Sequence, residues 1–443
     1  MKLELHNVGK FESAAIDVDG FTVIAGANAT GKSTLSKALY CLFNGFSFRK
    51  DVFRAARKAA ILQALGDLPR RLSTDDEAVG DRLSDELLSL KAVNADAVRT
   101  FITDFSRRHA VHRFIAEHDI YGEGDSDEVI DVPGDAPAAE LSAELPLDAS
   151  VIQQILRILS LDKTSFRKIQ IGNLLDQEFR GQIADTRTEN ASSVLSLIVQ
   201  NQTLSVGVEN GRLTSFEAPL LLSKQAVYID DPFVVDDAAR LRRQASDNIC
   251  NLSHREALRQ LLTCRKANTL LDNLRTADHE ALLVKIAAVC AGRLTEDAAG
   301  RLLYQENGNK PLDIFNVSTG LKTFVIIRHL LINGAFEKNG TVILDEPEIH
   351  LHPQWQVVLV EVLVLLQKEF NLHILLTTHS PYFLRALEVF TQKHDIRSKC
   401  RFYRTGIADG SATVTDVTDS VDTIYKEMAR PFQTLENLLY ADA

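Results

Sequence analysis

The sequence predicts an α/β fold in which a parallel core sheet is covered by helices on both faces and is interrupted by helical insertions. Residues 2–6 alternate polar and apolar side chains and residues 21–26 form an apolar run with β-branched residues, and both patterns are typical of strands. The second run leads through a glycine turn into a helix that begins near Lys32, where apolar residues recur at helical spacing. Beyond about residue 290, strands and helices alternate, which is the pattern of parallel sheets.

The middle of the chain reads as insertions and a second β region. Helical patterning fills residues 49–116, and eleven Asp or Glu with no Lys or Arg then lie between Glu117 and Asp148, too little apolar material to fold alone. Strand character at 193–231 includes an Asn–Gly hairpin turn, which indicates an antiparallel β lobe. We predict a core built from 1–48, 165–232 and 290–443, a helical insertion at 49–164 with an acidic flexible linker at 117–148, and a helical subdomain at 233–289.

The composition is that of a globular protein made without disulfides. The 443 residues are 45% hydrophobic and 25% charged, with a net charge of −11. Five cysteines lie far apart with no CxxC pair, which argues against a thiolate zinc site and favours a reducing compartment. Met1 leads into the strand-like KLELHNV rather than a signal peptide. The apolar run at 357–366 is shorter than the roughly 20 residues of a membrane span. We expect a cytoplasmic protein with no membrane partner.

A phosphate-binding loop is the clearest motif. GANATGKST, from Gly26 to Thr34, fits G-x-x-x-x-G-K-[ST] in full, and it follows a strand and opens a helix as the motif requires. Its glycines let successive backbone N–H groups turn toward phosphate oxygens, and the helix N-terminus adds its dipole. Lys32 would place its charge on the β- and γ-phosphates, and the hydroxyl of Ser33 would coordinate Mg²⁺.

The run TVILDEPEIHLHP supplies acidic groups for the same chemistry. Asp345 ends an apolar strand and would hold Mg²⁺, in part through water, while Glu346 would orient or deprotonate the attacking water. A zinc site built from Glu348, His350 and His352 is the alternative. Because Mg²⁺ prefers oxygen ligands and no further zinc ligands occur at convincing spacing, the sequence favours Mg²⁺ here.

Two further segments narrow the class of nucleotide site. NVSTGLKTF places Ser318, Thr319 and Gly320 ahead of a helical run, which makes a second anion cradle. LLTTHSP ends a strand at His379, from where an imidazole reaches a γ-phosphate. Asp345 lies 27 residues after Ser318 and 34 before His379. The four motifs in this order are far more specific than any one of them.

This set of motifs resembles the ABC-type ATPase heads of the SMC, RecF and OLD kind. GANATGKST matches their Walker A loop, VSTGLK the signature, ILDEP Walker B, EIHLHP the D-loop region and TTHSP the switch histidine. The opening HNVGKFESAAIDVDGFTVIAGANATGKST is also similar to the start of those proteins. The resemblance covers about 1–48, 165–232 and 290–443. It is closest to stand-alone bacterial AAA-family ATPases such as the Septu PtuA-like anti-phage ATPases.

The resemblance implies an ABC-type P-loop ATPase head that uses ATP and Mg²⁺. It implies catalytic roles for Glu346 and His379, and metal binding by Ser33 and Asp345. Two heads would close around ATP, each site completed by the partner's signature loop, with the two D-loop histidines structural or interfacial. The nucleotide-binding residues it implies are Gly26, Asn28, Ala29, Thr30, Gly31, Lys32, Ser33, Thr34, Ser318, Thr319 and Gly320.

The chain also departs from that family. The signature reads STG instead of SGG, and Ala27 and Ala29 replace more usual residues. Either Gln177 or Gln182 would serve as the Q-loop glutamine. No hook-bearing coiled coil is predicted, which argues against SMC function itself. The 64 residues after His379 are too few for the Toprim nuclease domain of OLD proteins.

We therefore expect an ATPase switch or scaffold that forms a homodimer or higher oligomer through its heads. Its partner would be an effector encoded nearby, a nuclease or toxin in bacterial anti-phage defence, and nucleic acid stays open as a second kind of partner. Two alternatives remain at this point: a nucleotide sensor with little turnover and a transporter ATPase subunit. Transporter heads are shorter and carry SGGQ-like signatures. Nothing in the sequence separates fast from slow turnover.

Overall fold

In a computed structural model of the chain, the described residues are 1–66, 68, 76–91, 93–117, 149–184, 192–241, 253–263, 279–297 and 301–440. Contacts divide the chain into a first unit, Met1–Phe48 with Arg167–Ser246 and Asn251–Ala443, and a second unit, Arg49–Phe166 with Asp247–Cys250. Apart from its first residue, the predicted acidic linker lies outside the described residues. No described helix is long and apolar enough to cross a membrane.

The predicted alternation of helices and strands is found over residues 319–393, whereas strands follow one another directly at 293–313 and 400–416. The helices are α1 (Lys32–Phe46), α2 (Lys50–Leu65), α3 (Asp76–Leu88), α4 (Ala95–Glu117), α5 (Ala149–Leu159), α6 (Lys163–Phe179), α7 (Val234–Leu241), α8 (His254–Thr263), α9 (Glu280–Ala287), α10 (Thr319–Ile332), α11 (Pro353–Phe370), α12 (Pro381–Lys393) and α13 (Asp422–Tyr440). The strands are β1 (Lys2–Val8), β2 (Phe11–Asp17), β3 (Phe21–Gly26), β4 (Ser193–Val199), β5 (Gln202–Glu209), β6 (Arg212–Glu217), β7 (Ala226–Ile229), β8 (Arg293–Glu296), β9 (Leu302–Gln305), β10 (Leu312–Asp313), β11 (Thr341–Asp345), β12 (His373–Thr378), β13 (Cys400–Ala408) and β14 (Ser411–Asp416).

An 11-stranded mixed sheet organises the first unit, in the order β6-β5-β4-β1-β2-β14-β13-β3-β12-β11-β7. From β13 to β7 all neighbours are parallel, whereas β6, β5, β4, β1 and β2 form an antiparallel half. The predicted fold class, a parallel core sheet with an antiparallel β lobe, is confirmed. A separate three-stranded antiparallel sheet has the order β10-β9-β8.

Both faces of the parallel half are buried, which explains the continuous apolar runs of its strands. In β3, Val23 and Ala25 face one hydrophobic cluster, formed largely with α7 to α12. Ile24 faces the other cluster, in which α1 and α6 cover the sheet. Because side chains alternate between faces along a strand, each central strand must be apolar at successive positions. The helices of the predicted 233–289 subdomain contribute to the first of these clusters.

The parallel strands bring their C-terminal ends to one edge of the sheet, which is where ligands bind in open α/β sheets. The loop after β3, the acids at the end of β11 and the polar residues at the end of β12 all lie at this edge. Capping residues set the start of the helix that follows β12. Ser380 Oγ accepts the N–H of Phe383 at 3.2 Å, and Pro381 occupies the first turn of α12, where a missing donor costs nothing.

The antiparallel half follows its turn chemistry. Asn210 and Gly211 join β5 to β6 with φ values of 52° and 73°, as the predicted hairpin turn requires. The second unit has its own core, in which α2 to α5 contribute Ile61, Leu65, Val79, Leu83, Leu87, Val98, Ile102, Phe105, Ile152, Ile155 and Leu159. The helical pattern predicted for 49–116 is therefore confirmed for its described residues.

Candidate functional site

The loop between β3 and α1 is a backbone cradle that requires glycine at two positions. A Cβ on Gly31 would lie 2.4 Å from Cε2 of Phe11, and its φ is 92°, so both space and conformation require glycine. A Cβ on Gly26 would lie 2.4 Å from the carbonyl oxygen of Thr405. Ala29, one of the departures from the family pattern, has a φ of 61°. Its left-handed conformation costs an alanine roughly 1–2 kcal/mol.

A cavity of about 680 Å³ opens over this loop. Its volume lies in the range of ordinary small-ligand sites, about 300–1,000 Å³. The cavity is lined by Gly9, Lys10, Asn28, Ala29, Gly31, Lys32, Ser33, Thr34, Glu346 and Gly410. Lys10 was not predicted, and its Nζ donates to the carbonyl of Ala29 at 3.1 Å. The sequence signal was available, since Lys10 follows the Gly9 turn that precedes the loop.

Lys32 points back into the loop that carries it. Its Nζ donates to the carbonyls of Ala27 at 2.9 Å and Gly26 at 3.3 Å, and its side chain is 4% exposed. Nζ also lies 3.6 Å from Oε1 of Glu346. Burial lowers the pKa of Lys32, and the charge of Glu346 partly opposes that effect. The amine is thus poorly hydrated and already directed at the cradle.

Asp345 is held at the edge of the sheet by two hydroxyl groups. Thr377, its register partner on β12, donates to Oδ1, and the hydroxyl of Tyr228 on β7 donates to Oδ2 at 3.1 Å. Neither donor was predicted from the sequence. A carboxylate oriented in this way suits a hard cation such as Mg²⁺, since ligating carboxylates in proteins are themselves hydrogen-bonded.

Glu346 and His379, the predicted catalytic pair, are in direct contact. Nε2 of His379 lies 2.5 Å from Oε1 of Glu346. The backbone N–H of Glu346 is tied to Thr377, 2.9 Å from its Oγ1 and 3.2 Å from its carbonyl. The structure therefore brings Lys32, Glu346 and His379 together from three separate segments.

Glu348 is a third carboxylate at this edge, but it faces inward. It is 5% exposed, and its Oε1 accepts the hydroxyl of Thr378 at 2.6 Å and the backbone N–H of His379 at 2.7 Å. Burial raises the pKa of Glu348. The side chain fixes the segment that carries the histidine, a role that sequence reasoning missed because Glu348 looked like part of the His350 and His352 run.

The histidines of the D-loop region do not gather around Glu348. His350 packs its ring edge-on against Phe233 at 5.8 Å, and Nδ1 of His352 accepts the N–H of Gln354 at 3.4 Å to cap α11. Within the described ranges, no group of three His, Cys, Asp or Glu is placed to hold a metal ion. Both histidines therefore contact neighbouring protein groups and have a structural role in this chain.

The signature segment lies outside the lining of the cavity. Ser318 is the N-cap of α10, is exposed, and its side chain makes no capping hydrogen bond. A Cβ on Gly320 would lie 2.7 Å from the carbonyl oxygen of His350, so the signature and D-loop segments are in close contact. Lys322 is 2% exposed and pairs with Asp236 at 2.8 Å, which fixes the first turn of α10.

The two Q-loop candidates differ in position. Gln177 lies inside α6, and its Oε1 is buried. Gln182 follows the helix and is exposed. The next residue, Ile183, accepts a hydrogen bond from the N–H of Gly9 at 2.7 Å, and Gly9 lines the cavity. Position therefore favours Gln182.

Comparisons with known protein families agree with this arrangement. Residues 217–385 match the family model described as "AAA domain, putative AbiEii toxin, Type IV TA system". Residues 1–67 match a model described as "AAA domain". The first segment contains the signature, Walker B and the switch histidine, and the second contains Walker A. The matches confirm the predicted resemblance to ABC-type ATPases of the SMC, RecF and OLD kind.

The similarity to individual proteins is limited either in length or in sequence identity. The Retron Vc95 probable ATPase of Vibrio cholerae serotype O1 biovar El Tor is 36% identical over 90 residues, which is 18% of this chain and 17% of that protein. The match thus spans a small part of either sequence. The SMC head domain from Thermotoga maritima has 10% identity and a TM-score of 0.37, covering 94% of this chain and 98% of that one. An SmcHead bound to the C-winged helix domain of ScpA has 12% identity and a TM-score of 0.42, covering 94% and 97%. The fold assignment rests on the sheet order instead.

Proposed function

We propose that this chain binds ATP with Mg²⁺ in the cavity over the loop after β3 and hydrolyses it. The observation that carries the proposal is the contact of Glu346 with both Lys32 and His379 at the edge of that cavity. A phosphate-binding lysine and a carboxylate that positions or deprotonates water are parts that phosphoryl transfer to water uses, and His379 lies against that carboxylate. The matches to ATPase families support the same reaction.

The residues present fit a nucleotide and its metal. The cradle has no room for a Cβ at Gly26 or Gly31, and backbone N–H groups in glycine turns of this kind bind phosphate oxygens. Ser33 lines the cavity with an exposed side chain, and Asp345 is oriented by two hydroxyls. Ser33 and Asp345 would hold Mg²⁺, in part through water, and the ion would neutralise phosphate charge.

Glu346 acts as the general base in this proposal. Its Oε1 would accept a proton from the attacking water, and His379 would keep that oxygen directed toward the γ-phosphate. Lys32 would exchange its loop carbonyls for the phosphates. Because the amine is buried and poorly hydrated, its attraction to a phosphate is stronger than it would be in water.

The signature segment is proposed to serve a second copy of the chain. Ser318 is exposed, lies outside the lining of the cavity, and leaves its hydroxyl unused for capping. The N-terminus of a helix favours anions. The family resemblance implies that this anion would be a phosphate of the nucleotide bound by the partner. We propose a head-to-head dimer in which Ser318, Thr319 and Gly320 complete the partner's site.

Glu346→Gln tests the hydrolysis. The amide keeps the shape and loses the basicity, so ATP affinity should be kept while turnover falls by about 10²–10⁴-fold. Glu369→Gln is the matched control, because Glu369 also contacts a histidine, His279, and its side chain is 33% exposed against 25% for Glu346. Phosphate release and fluorescent nucleotide titration are measured for both. A wild type that binds ATP but turns over no faster than the variant would identify a nucleotide sensor instead.

The cellular role is proposed to be control of an effector protein in bacterial defence. The partial similarity to a retron probable ATPase supports this setting. A switch of this kind should hold its effector differently with and without ATP. Copurification of the products of adjacent genes with the Glu346→Gln variant, with ATP and with EDTA, measures that difference. Retention that ignores nucleotide would contradict a switch.

A further inference from the structure

Tyr228 is a buried residue that reaches the proposed metal ligand from the neighbouring strand. It is 2% exposed on β7, and its hydroxyl donates to Oδ2 of Asp345 at 3.1 Å. Strand β7 is parallel to β11, with Tyr228 paired to Ile343. The aromatic ring therefore sits beneath the edge where Asp345 emerges.

The ring of Tyr228 is fixed by two aromatic neighbours. His254, the first residue of α8, stacks on it with ring centroids 4.2 Å apart and an angle of 24°. Tyr40 of α1 contacts both rings, at 5.9 Å from Tyr228 and 6.0 Å from His254. Helix α1 begins at Lys32, so the stack lies between the phosphate loop helix and the Walker B strand.

His254 is itself held between two carboxylates. Its Nδ1 lies 2.7 Å from Oε2 of Glu178, and its backbone N–H donates to Oε1 of the same residue at 2.7 Å. Its Nε2 lies 3.0 Å from Oδ2 of Asp230. Burial alone would lower the pKa of His254, but the contacts with Asp230 and Glu178 outweigh it and raise the pKa to about 9. The His254 ring is therefore an imidazolium at neutral pH. A cation is attracted to the face of an aromatic ring, here that of Tyr228.

The same arrangement neutralises a carboxylate beside Asp345. Ile229 pairs with Leu344 across the two strands, so Asp230 and Asp345 follow at equivalent positions on neighbouring strands. An uncompensated charge on Asp230 would repel the carboxylate of Asp345. The imidazolium and Arg255, whose Nη2 donates to Asp230 at 2.7 Å, compensate that charge. Asp345 is left with a hydroxyl donor on each oxygen and with a compensated carboxylate on the neighbouring strand.

We propose that Tyr228 is a positioning residue for the metal-binding carboxylate Asp345, and that the stacked His254 keeps its hydroxyl in place. This inference rests on the proposed function, because it concerns how Asp345 is presented to Mg²⁺. It also gives the C-terminal end of α6, through Glu178, and the start of α8 a physical connection to the Walker B acid. Hydrogen-bonding partners of metal ligands change metal affinity by about 10–100-fold when removed.

Tyr228→Phe tests the inference, with Tyr403→Phe as the matched control. Tyr403 is 3% exposed, lies on β13 of the same sheet, and its hydroxyl accepts the N–H of Asp17 at 2.9 Å, so the control removes an equally buried hydroxyl elsewhere. Mn²⁺ is titrated by electron paramagnetic resonance into each chain saturated with AMPPNP. Tyr228→Phe should weaken Mn²⁺ about tenfold or more, while nucleotide affinity in EDTA and the thermal midpoint should match those of the control.

The possible results distinguish a failure of the positioning role of Tyr228 from a failure of the proposed function. Equal Mn²⁺ affinity in Tyr228→Phe and wild type would overturn the positioning role. A wild type that binds no AMPPNP would overturn the proposed function instead. His254→Phe keeps an aromatic stack and loses the charge, and combined with Tyr228→Phe it should add little further loss of Mn²⁺ affinity, because residues that act through one another are not additive. Losses that add in full would remove His254 from the proposal.

Discussion

Nε2 of His379 lies 2.5 Å from Oε1 of Glu346, and that same oxygen lies 3.6 Å from Nζ of Lys32. Three segments that are far apart in sequence meet on one carboxylate oxygen. Glu346 has a φ of 50°, a conformation that costs a non-glycine residue roughly 1–2 kcal/mol. Such strain persists where the surroundings over-determine it, and it clusters at functional sites. Thr377 supplies that constraint by accepting the N–H of Glu346.

Lys32→Ala should lower ATP affinity by at least about tenfold, which is about 1.4 kcal/mol. The variant removes the buried amine directed at the cradle. Lys37→Ala is the control, because Lys37 is on the same helix and its Nζ donates to the carbonyl of Glu178 at 3.2 Å, outside the cavity. Fluorescent nucleotide titration compares the two. Unchanged affinity in a folded Lys32→Ala would reject the nucleotide site.

Ser318→Arg and Lys32→Ala should complement each other if two chains share each site. Alone, each variant should hydrolyse no ATP, since arginine fills the signature cradle and alanine removes the phosphate contact. A mixed dimer contains one intact site, built from one chain's Lys32 and the other chain's Ser318. Phosphate release is measured against mixing ratio, with subunit exchange followed by fluorescence transfer. Activity should rise toward a maximum at equal amounts. No rescue despite confirmed exchange would count against the shared site.

We expect Glu348 to act as a hydrogen-bond acceptor, a role that does not require its negative charge. Glu348→Gln keeps an oxygen for Thr378 and for the N–H of His379 and removes a buried carboxylate whose pKa burial raises. It should retain stability and turnover. Glu348→Leu leaves both donors unpaired and should lose about 3 kcal/mol of unfolding free energy, together with turnover, while ATP still binds. Urea denaturation and phosphate release decide the matter. Equal behaviour of the two variants would refute the anchoring role.

The stability of the chain should fall between pH 6.5 and 9 because of His254. Its folded pKa of about 9 lies above the ordinary histidine value of 6.5. The contribution is therefore full below pH 6.5 and is lost as pH rises through 9, amounting to about 3 kcal/mol. Urea denaturation at pH 6.5 and 9.5 measures it, and His254→Gln should flatten the difference. His329→Gln is the control, since burial lowers the pKa of His329 and this residue stays neutral over that range. A wild type whose stability is constant across the range would contradict the buried imidazolium.

Much of the candidate site could be predicted from local patterns. The cradle, Lys32 and Asp345 belong to motifs whose chemistry depends on residues a few positions apart, and these motifs occur at strand ends that apolar runs make visible. His379 was found in the same way, from its place at the end of a strand. Tyr228 carries no such signal. Tyr228 is 117 residues away from Asp345 in sequence, and only the order of strands in the sheet makes them neighbours.

The sequence by itself determined the class of fold, the phosphate loop and the acids that follow β11, because each depends on short-range spacing and on apolar runs that only a buried strand permits. The tertiary structure alone decided that Lys32 and His379 converge on Glu346, that Glu348 turns inward, and that Tyr228 donates to Asp345. Those contacts depend on strand register between β7, β11, β12 and β3. Register is fixed by packing the parallel half of the sheet between two apolar clusters, a constraint that no single segment contains.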